Sequence, residues 1–207
     1  PSLTLPDLDV TYLMKSALAI SAETDLEQLL HKIMTVIIEL SGAQHGYFIT
    51  KKQGHLISLV ESHIQKQSNV NEKTVQTLER EINKKEEICP AIVNFVFRTQ
   101  EKVLLSNAKA LGAFTEDKMV KKLQLRSVMC VPVIKQKVLI GVLYLENRLS
   151  EGIFTEEINK MTELITAQAA ISLENAQLLQ DTRQTKDELR ELNETLEQRV
   201  SDEIRRN

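Results

Sequence analysis

The chain has 207 residues, 42% of them apolar and 4% aromatic, with no Trp and a formal net charge of −3. This composition supports a core filled by Leu, Ile and Val and excludes a disordered chain. Lysines and arginines are scattered among acids and build no basic face, so nucleic acid is not expected as a partner.

The two cysteines, Cys89 and Cys130, stand apart in apolar surroundings, which reads as reduced thiols of a cytoplasmic protein. No apolar run approaches the ~20 residues of a bilayer span, and no signal-peptide pattern is present. No membrane partner is expected. The chain opens at Pro1 rather than Met, as a piece of a longer protein would.

In chain order, residues 7 to about 42 read as helical, with Val10, Leu13, Met14, Ala17 and Leu18 on one apolar face and an interruption at Ser21-Ala22-Glu23. Thr24 to Glu27 has the form of a capping box. Leu26, Leu29, Leu30, Ile33, Ile37 and Leu40 then continue at helical spacing, and Gly42 closes the helix. Tyr47 to Thr50 and Leu56 to Val60 read as a hairpin around a turn at Lys51–Gly54. Residues 61–88 are polar and predict a weak strand followed by an irregular excursion, with the acids near 79–87 as a solvated face. A short helix is expected over 90–99 with Pro90 in its first turn, a short strand at Val103-Leu104-Leu105, and another short helix opening at Thr115-Glu116-Asp117. The apolar runs Ser127–Ile134 and Val138–Leu145, flanking Lys135-Gln136-Lys137, predict central strands. Pro132 requires a bulge or an unpaired position.

From Thr155 onward there is neither Gly nor Pro. Thr155 caps a helix with Glu156 and Glu157 in its first turn, continuing to about Ile204. Fifty residues rise ~75 Å, whereas a 150-residue domain has a radius of gyration of ~15 Å. The distal half must therefore project. Its stripe of Leu178, Leu179, Leu189, Leu192, Leu196, Val200 and Ile204 follows three- and four-residue steps close to a coiled-coil seam, with Glu- and Arg-rich flanks. A second copy of the chain is the simplest partner for it, with a solvated helix as the alternative.

Enzyme signatures are missing: no Gly-rich phosphate loop, no G-x-S-x-G, no H-E-x-x-H. His31, His45, His55 and His63 show no metal-ligand spacing with Cys or acids. Cys130, within Val-Met-Cys-Val-Pro-Val, reads as a core filler.

Three stretches carry a family resemblance: Asp25 to Phe48 (DLEQLLHKIMTVIIELSGAQHGYF), Arg126 to Asn147 (RSVMCVPVIKQKVLIGVLYLEN) and Phe154 to Gln177 (FTEEINKMTELITAQAAISLENAQ). The second matches C-x-P-[IV] followed by [LI]-[IL]-G-[VI]-L-Y-L-E-N, and the third contains Q-A-A-I-S-[LI]-E-N-A. Together they resemble a GAF domain, similar to those of multidomain sensor histidine kinases. The tail LNETLEQRV resembles the helical linker that precedes an output domain.

The resemblance implies an α+β fold: a six-stranded antiparallel sheet with flanking helices and a long C-terminal coiled-coil helix. It divides the chain into an N-terminal helix (1–22), a GAF domain (23–178) and a signalling linker helix (179–207). It implies a non-catalytic sensory module that passes a small-molecule or redox input through a dimeric C-terminal helix to a covalently linked output domain. The alternative is a ligand-free dimerisation spacer. Methionine-sulfoxide reduction, which some small GAF proteins perform with cysteines, is a third reading.

A ligand pocket would draw on Tyr47, Ile49, Asn94, Phe97, Phe114, Met129, Val131 and Tyr144, and no cofactor is named. Cyclic-nucleotide-binding members carry N-K…F-x-x-x-D-E. Here Asn147-Arg148 and Phe154 are present, but Ile158 and Asn159 occupy the acidic positions. A homodimer would be formed by Leu13, Leu18 and Leu164 on the domain, joined by Leu178, Leu179, Leu189, Leu192, Leu196 and Val200 on the tail.

Overall fold

A computed structural model describes residues 7–67, 70–82, 87–110 and 112–206; within these, the side chains of residues 7–11, 64–67, 70–73, 77, 78 and 206 are outside the description. The elements in order are α1 (Asp7–Ser21), α2 (Leu26–Ser41), β1 (His45–Lys52), β2 (His55–Gln67), β3 (Val70–Glu81), α3 (Pro90–Thr99), β4 (Val103–Leu105), α4 (Lys118–Lys122), β5 (Ser127–Lys135), β6 (Val138–Asn147) and α5 (Glu156–Arg206). The strands form one antiparallel sheet in the order β3-β2-β1-β6-β5-β4.

Both faces of the sheet are covered. On one, α1, α2 and the first half of α5 bury Phe48, Val60, Met129, Val131, Val133, Leu143 and Leu145. On the other, α3, α4 and their flanking loops bury Tyr47, Ile49, Leu56, Val128, Cys130, Val142 and Tyr144. Strand period 2 sorts neighbours along β1, β5 and β6 to opposite faces.

Local chemistry sets the boundaries. The cap of α2 is Asp25, one residue later than the expected Thr24: Asp25 Oδ1 accepts from Gln28 N at 2.9 Å, while the backbone N–H groups of Thr24 and Asp25 donate to Glu23 Oε1. Gly42 ends this helix in the left-handed conformation, φ 67°. Asp117 caps α4 through Met119 N at 2.7 Å, and Thr155 Oγ1 accepts from Ile158 N at the start of α5. The β5–β6 connection is tighter than the expected three residues. Gln136 and Lys137 both have positive φ, 46° and 68°, the conformation of a two-residue type I′ hairpin turn.

The weak strand expected from residue 61 is present, and most of the excursion expected after it is strand as well. β2 runs on to Gln67 and pairs with β3 from Ile57↔Glu81 to Gln67↔Val70. β3 is an edge strand, so only one of its neighbours is a strand. Val75 and Leu59 reach the helix-side core, whereas Lys52 pairs with Glu79 and His55 Nδ1 meets Glu81 Oε1 at 2.8 Å outside it. Such a strand carries little apolar periodicity. Pro132 is paired opposite Val142, and the irregularity falls one step later, between Val133 and Ile134. β4 pairs only residues 128–130 of β5, so beyond it β5 has an open edge that tolerates a residue without an N–H.

Gly141 shows how closely β6 is packed against β1. A Cβ there would lie 2.7 Å from Ile49 O and 3.1 Å from the Phe48 ring. Replacing Gly141 by Ala is expected to cost about 1–3 kcal/mol, read as a lower denaturant midpoint with an unchanged slope. An unchanged midpoint would show that the strands can part without penalty.

Candidate functional site

The face beneath α3 is where most of the expected pocket residues fall. Tyr47, Ile49 and Tyr144 are all buried there, and Phe97 and Phe114 pack partly buried at its margin. Asn94 is on α3 but exposed. Met129 and Val131 are on the opposite face, in the core under α2 and α5. The alternation of β5 instead turns Val128 and Cys130 toward α3, so Met129 and Val131 cannot line the same site as Tyr144.

Register builds two rows of side chains across this face. One runs Glu61, Tyr47, Tyr144, Cys130, Val103 on β2, β1, β6, β5 and β4; the other runs His63, His45, Glu146, Val128, Leu105. Each row is polar at the β2 end and apolar at the β4 end.

The polar ends are linked. The Tyr144 hydroxyl donates to Glu146 Oε2 at 2.8 Å and accepts from Cys89 N at 3.4 Å. Arg148 Nε donates to Glu146 Oε1 at 2.7 Å, and its Nη2 to the Glu87 carbonyl at 3.2 Å. Arg80 Nη2 donates to Glu61 Oε2 at 2.8 Å, and the same guanidinium pairs with the Glu87 carboxylate. His63 Nε2 lies 3.5 Å from Glu61 Oε2, and its Nδ1 lies 2.8 Å from His45 Nδ1. The Tyr47 ring stands edge-on to His63 at 5.6 Å and tilted to Tyr144 at 6.2 Å.

Burial governs the protonation states. Glu146 is fully buried, and desolvation holds its carboxyl above the usual range against the opposing pull of Arg148 and Tyr144. Burial also works to raise Glu61, but hydrogen bonds from His63 and Arg80 outweigh it and hold this carboxyl low. Burial, then the positive charge of Arg148 and the neighbouring His63, pushes His45 down to about 4. An unpaired buried charge is costly, so His45 is neutral at pH 7. Burial pushes the Cys89 thiol up to about 12, assisted by Asp117, whose Oδ1 accepts from Sγ at 3.4 Å. Burial likewise raises Cys130. Neither thiol is a thiolate at neutral pH, which is not the state of a reactive cysteine. Among the described residues no group of three His, Cys, Asp or Glu converges in a way that would hold a metal ion.

Sequence reasoning missed the charged part of this site. Glu146 is a carboxylate that directly follows the apolar run of β6 while still within that strand, and that is a legible signal because a charge at a central-strand position demands a partner. Glu61 and His63 lie two apart on β2, in the polar stretch read only as a weak strand. Arg80 and Glu87 reach the site only through the β2–β3 pairing and the approach to α3, which no local pattern encodes.

The match to the GAF domain family model covers residues 25–173. The chain belongs to the GAF domain family. Among curated relatives it is 41% identical over 91 residues to hybrid signal transduction histidine kinase G of Dictyostelium discoideum, covering 44% of the chain and 3% of that protein. It is 28% identical over 179 residues to histidine protein kinase 1 of Candida albicans, covering 83% of the chain and 7% of that protein. The GAF chain thus spans only a small part of these relatives. Among solved structures, free methionine-R-sulfoxide reductase from Neisseria meningitidis, in complex with its substrate, superposes with a TM-score of 0.60 at 15% identity, over 86% of this chain and 97% of that one. At that identity the likeness is one of fold alone.

Two outcomes test the site. Tyr144→Phe leaves Glu146 Oε2 and the Cys89 N–H each without the hydroxyl they share, while Arg148 stays on Glu146 Oε1, and is expected to cost about 1–3 kcal/mol, measured by chemical denaturation. For His45 the folded value lies below the unfolded one, so the unfolded chain binds the extra proton and stability falls as pH drops from about 6.5 to about 4. His45→Gln is expected to flatten the stability profile in that window; an unchanged slope would mean that His45 titrates normally.

Proposed function

We propose that this GAF domain is a regulatory module of a larger signalling protein, a histidine kinase, and that it transmits an input through a paired α5 helix to an output domain. One observation carries the reading: the helix that closes the domain core is the same 51-residue helix that leaves it. Ile165, Ala169, Ala170, Leu173 and Ala176 are buried in the domain, while every described side chain from Gln177 onward is exposed. A rearrangement felt by the buried half is thereby delivered to the exposed half without an intervening hinge. The two histidine-kinase relatives support the class of parent protein.

The face beneath α3 is the input site in this reading, with Tyr47 and Tyr144 beside the Glu61–Arg80–Glu87 and Glu146–Arg148 groups and Phe97 and Phe114 at its apolar margin. Protonated, buried thiols favour a small-molecule input over a redox one, and they also weigh against cysteine-based reductase chemistry. Such signalling requires a ligand that binds two arrangements of the helices with different affinity. The alternative is a ligand-free dimerisation spacer. It draws support from how completely Tyr47, Ile49, Cys130 and Tyr144 are buried, at 1% exposure or less.

The dimer interface joins Leu18 and Leu164 on the domain to the tail leucines. Leu13 instead packs partly buried against its own helix-side core, and Met14, 63% exposed, takes its place beside Leu18. Sedimentation equilibrium of the whole chain and of a chain ending at Gln177 tests this. A dimer that weakens on truncation is expected, whereas a monomer at both lengths would remove the transmission route. A dimer of unchanged strength at both lengths would confine pairing to the domain and contradict the role of the tail.

A further inference from the structure

Arg80 is shared between two carboxylates that hold it differently. Its side edge is met by Glu61, with Nε 2.6 Å from Oε1 and Nη2 donating to Oε2 at 2.8 Å. That is the two-point contact by which a guanidinium holds a carboxylate most strongly. Its end, formed by Nη1 and Nη2, is met by Glu87 through Nη2 alone. Nη1 is buried and makes no hydrogen bond, and a buried donor left unpaired costs free energy. The carboxylates also differ in how firmly they are placed. Glu61 and Glu146 are buried on β2 and β6, whereas Glu87 lies between β3 and α3 with its side chain 31% exposed. The Glu87 backbone is held separately, by Arg148 Nη2 on its carbonyl at 3.2 Å. Its side chain can therefore leave Arg80 while the chain around it stays in place.

We infer that the Nη1–Nη2 end of Arg80 is a binding site for a small oxyanion, a carboxylate or a phosphate, and that Glu87 is the competitor the protein itself supplies. The inference rests on the α3 face as the input site and names the chemistry of the input. Two oxygens of one anion reach Nη1 and Nη2 together, where Glu87 reaches only one of them. For a monoanion the exchange leaves the charge of the site unchanged, since one carboxylate swings into solvent as another group of the same charge enters. Glu61 keeps its side-on contact throughout, so no buried charge loses its partner. Glu87 stands two residues ahead of Cys89, the first residue of the α3 cap, whose N–H donates to the Tyr144 hydroxyl. Release of Glu87 therefore acts on the segment that leads into α3.

Isothermal titration of the whole chain with sodium acetate and with inorganic phosphate, at constant ionic strength balanced by chloride, tests the site. Glu87→Gln removes the competing charge and keeps the side chain's length. It is expected to bind at least one of the two anions about ten-fold more tightly than the wild type, and the anion that gains separates a carboxylate ligand from a phosphate one. Arg80→Lys in the Glu87→Gln chain keeps a cation beside Glu61 but has no fork, and is expected to lose the gain. The guanidinium nitrogen resonances of Arg80, followed by NMR in the Glu87→Gln chain, give a second reading with Arg80 intact: they are expected to shift and saturate with the same affinity. No tighter binding by Glu87→Gln, a gain that survives Arg80→Lys, or unmoved Arg80 resonances would each overturn the oxyanion site. Hydrogen exchange along residues 165–176 of α5 tells this inference from the reading beneath it. Saturable binding at Arg80 with unchanged exchange there upholds the oxyanion site and removes its role as the input.

Discussion

The constraint on which the structure depends is a six-stranded sheet buried on both faces at β1 and β6. Neighbouring residues on these strands cannot share an environment: Phe48, Leu143 and Leu145 face the helices, while Tyr47, Ile49 and Tyr144 face α3. Gly141 lets the two strands close at the point where β1 shifts register, between Phe48 and Ile49. Because α5 is one of the three helices covering the first face, it is bound to the core along its first half. The polar site on the second face is only the thickness of one sheet away from it.

That polar site sits where hydrophobic burial alone would disfavour it. Two carboxylates, Glu61 and Glu146, are 3% and 0% exposed, and each is met by an arginine that approaches from beyond its own strand position. Removing one member of such a pair costs more than the pair contributes, since the other charge is left without a partner. The network therefore fixes the positions of Glu87 and Cys89, and with them the start of α3. A ligand that competed for Arg80 or Arg148 would act on the same points.

Much of the fold was legible because its signals are local. Gly42 after an apolar helical repeat, Pro90 ahead of α3, and Thr155 ahead of a run without Gly or Pro each mark a boundary through backbone chemistry. The apolar continuity of β5 and β6 marks strands covered on both sides. What was not legible depended on pairing. β3 is an edge strand with mixed polar faces, so its twelve residues carry no strong period. The assignment of Met129 and Val131 failed by one residue, because a strand that is apolar on both faces does not reveal which alternate set faces which layer. Glu146, by contrast, was visible as a charge inside β6, and only its partners required the three-dimensional arrangement.

The domain and its tail share one continuous helix, α5. Leucines at 189, 192 and 196 are about half exposed, at 56%, 58% and 47%, and burying each contributes about 1.5–3 kcal/mol. Without a partner a helix this far from any core has only its own backbone bonds and surface pairs such as Arg190–Glu194, which add a few tenths of a kcal/mol. Hydrogen exchange of the amides from Lys186 to Val200, followed by mass spectrometry across a range of protein concentrations, reads this directly. Protection that rises with concentration while that of β1 and β6 stays constant is the expected result. Exchange at the unprotected rate at every concentration, or protection independent of concentration, would contradict a tail that is held by a second copy of the chain.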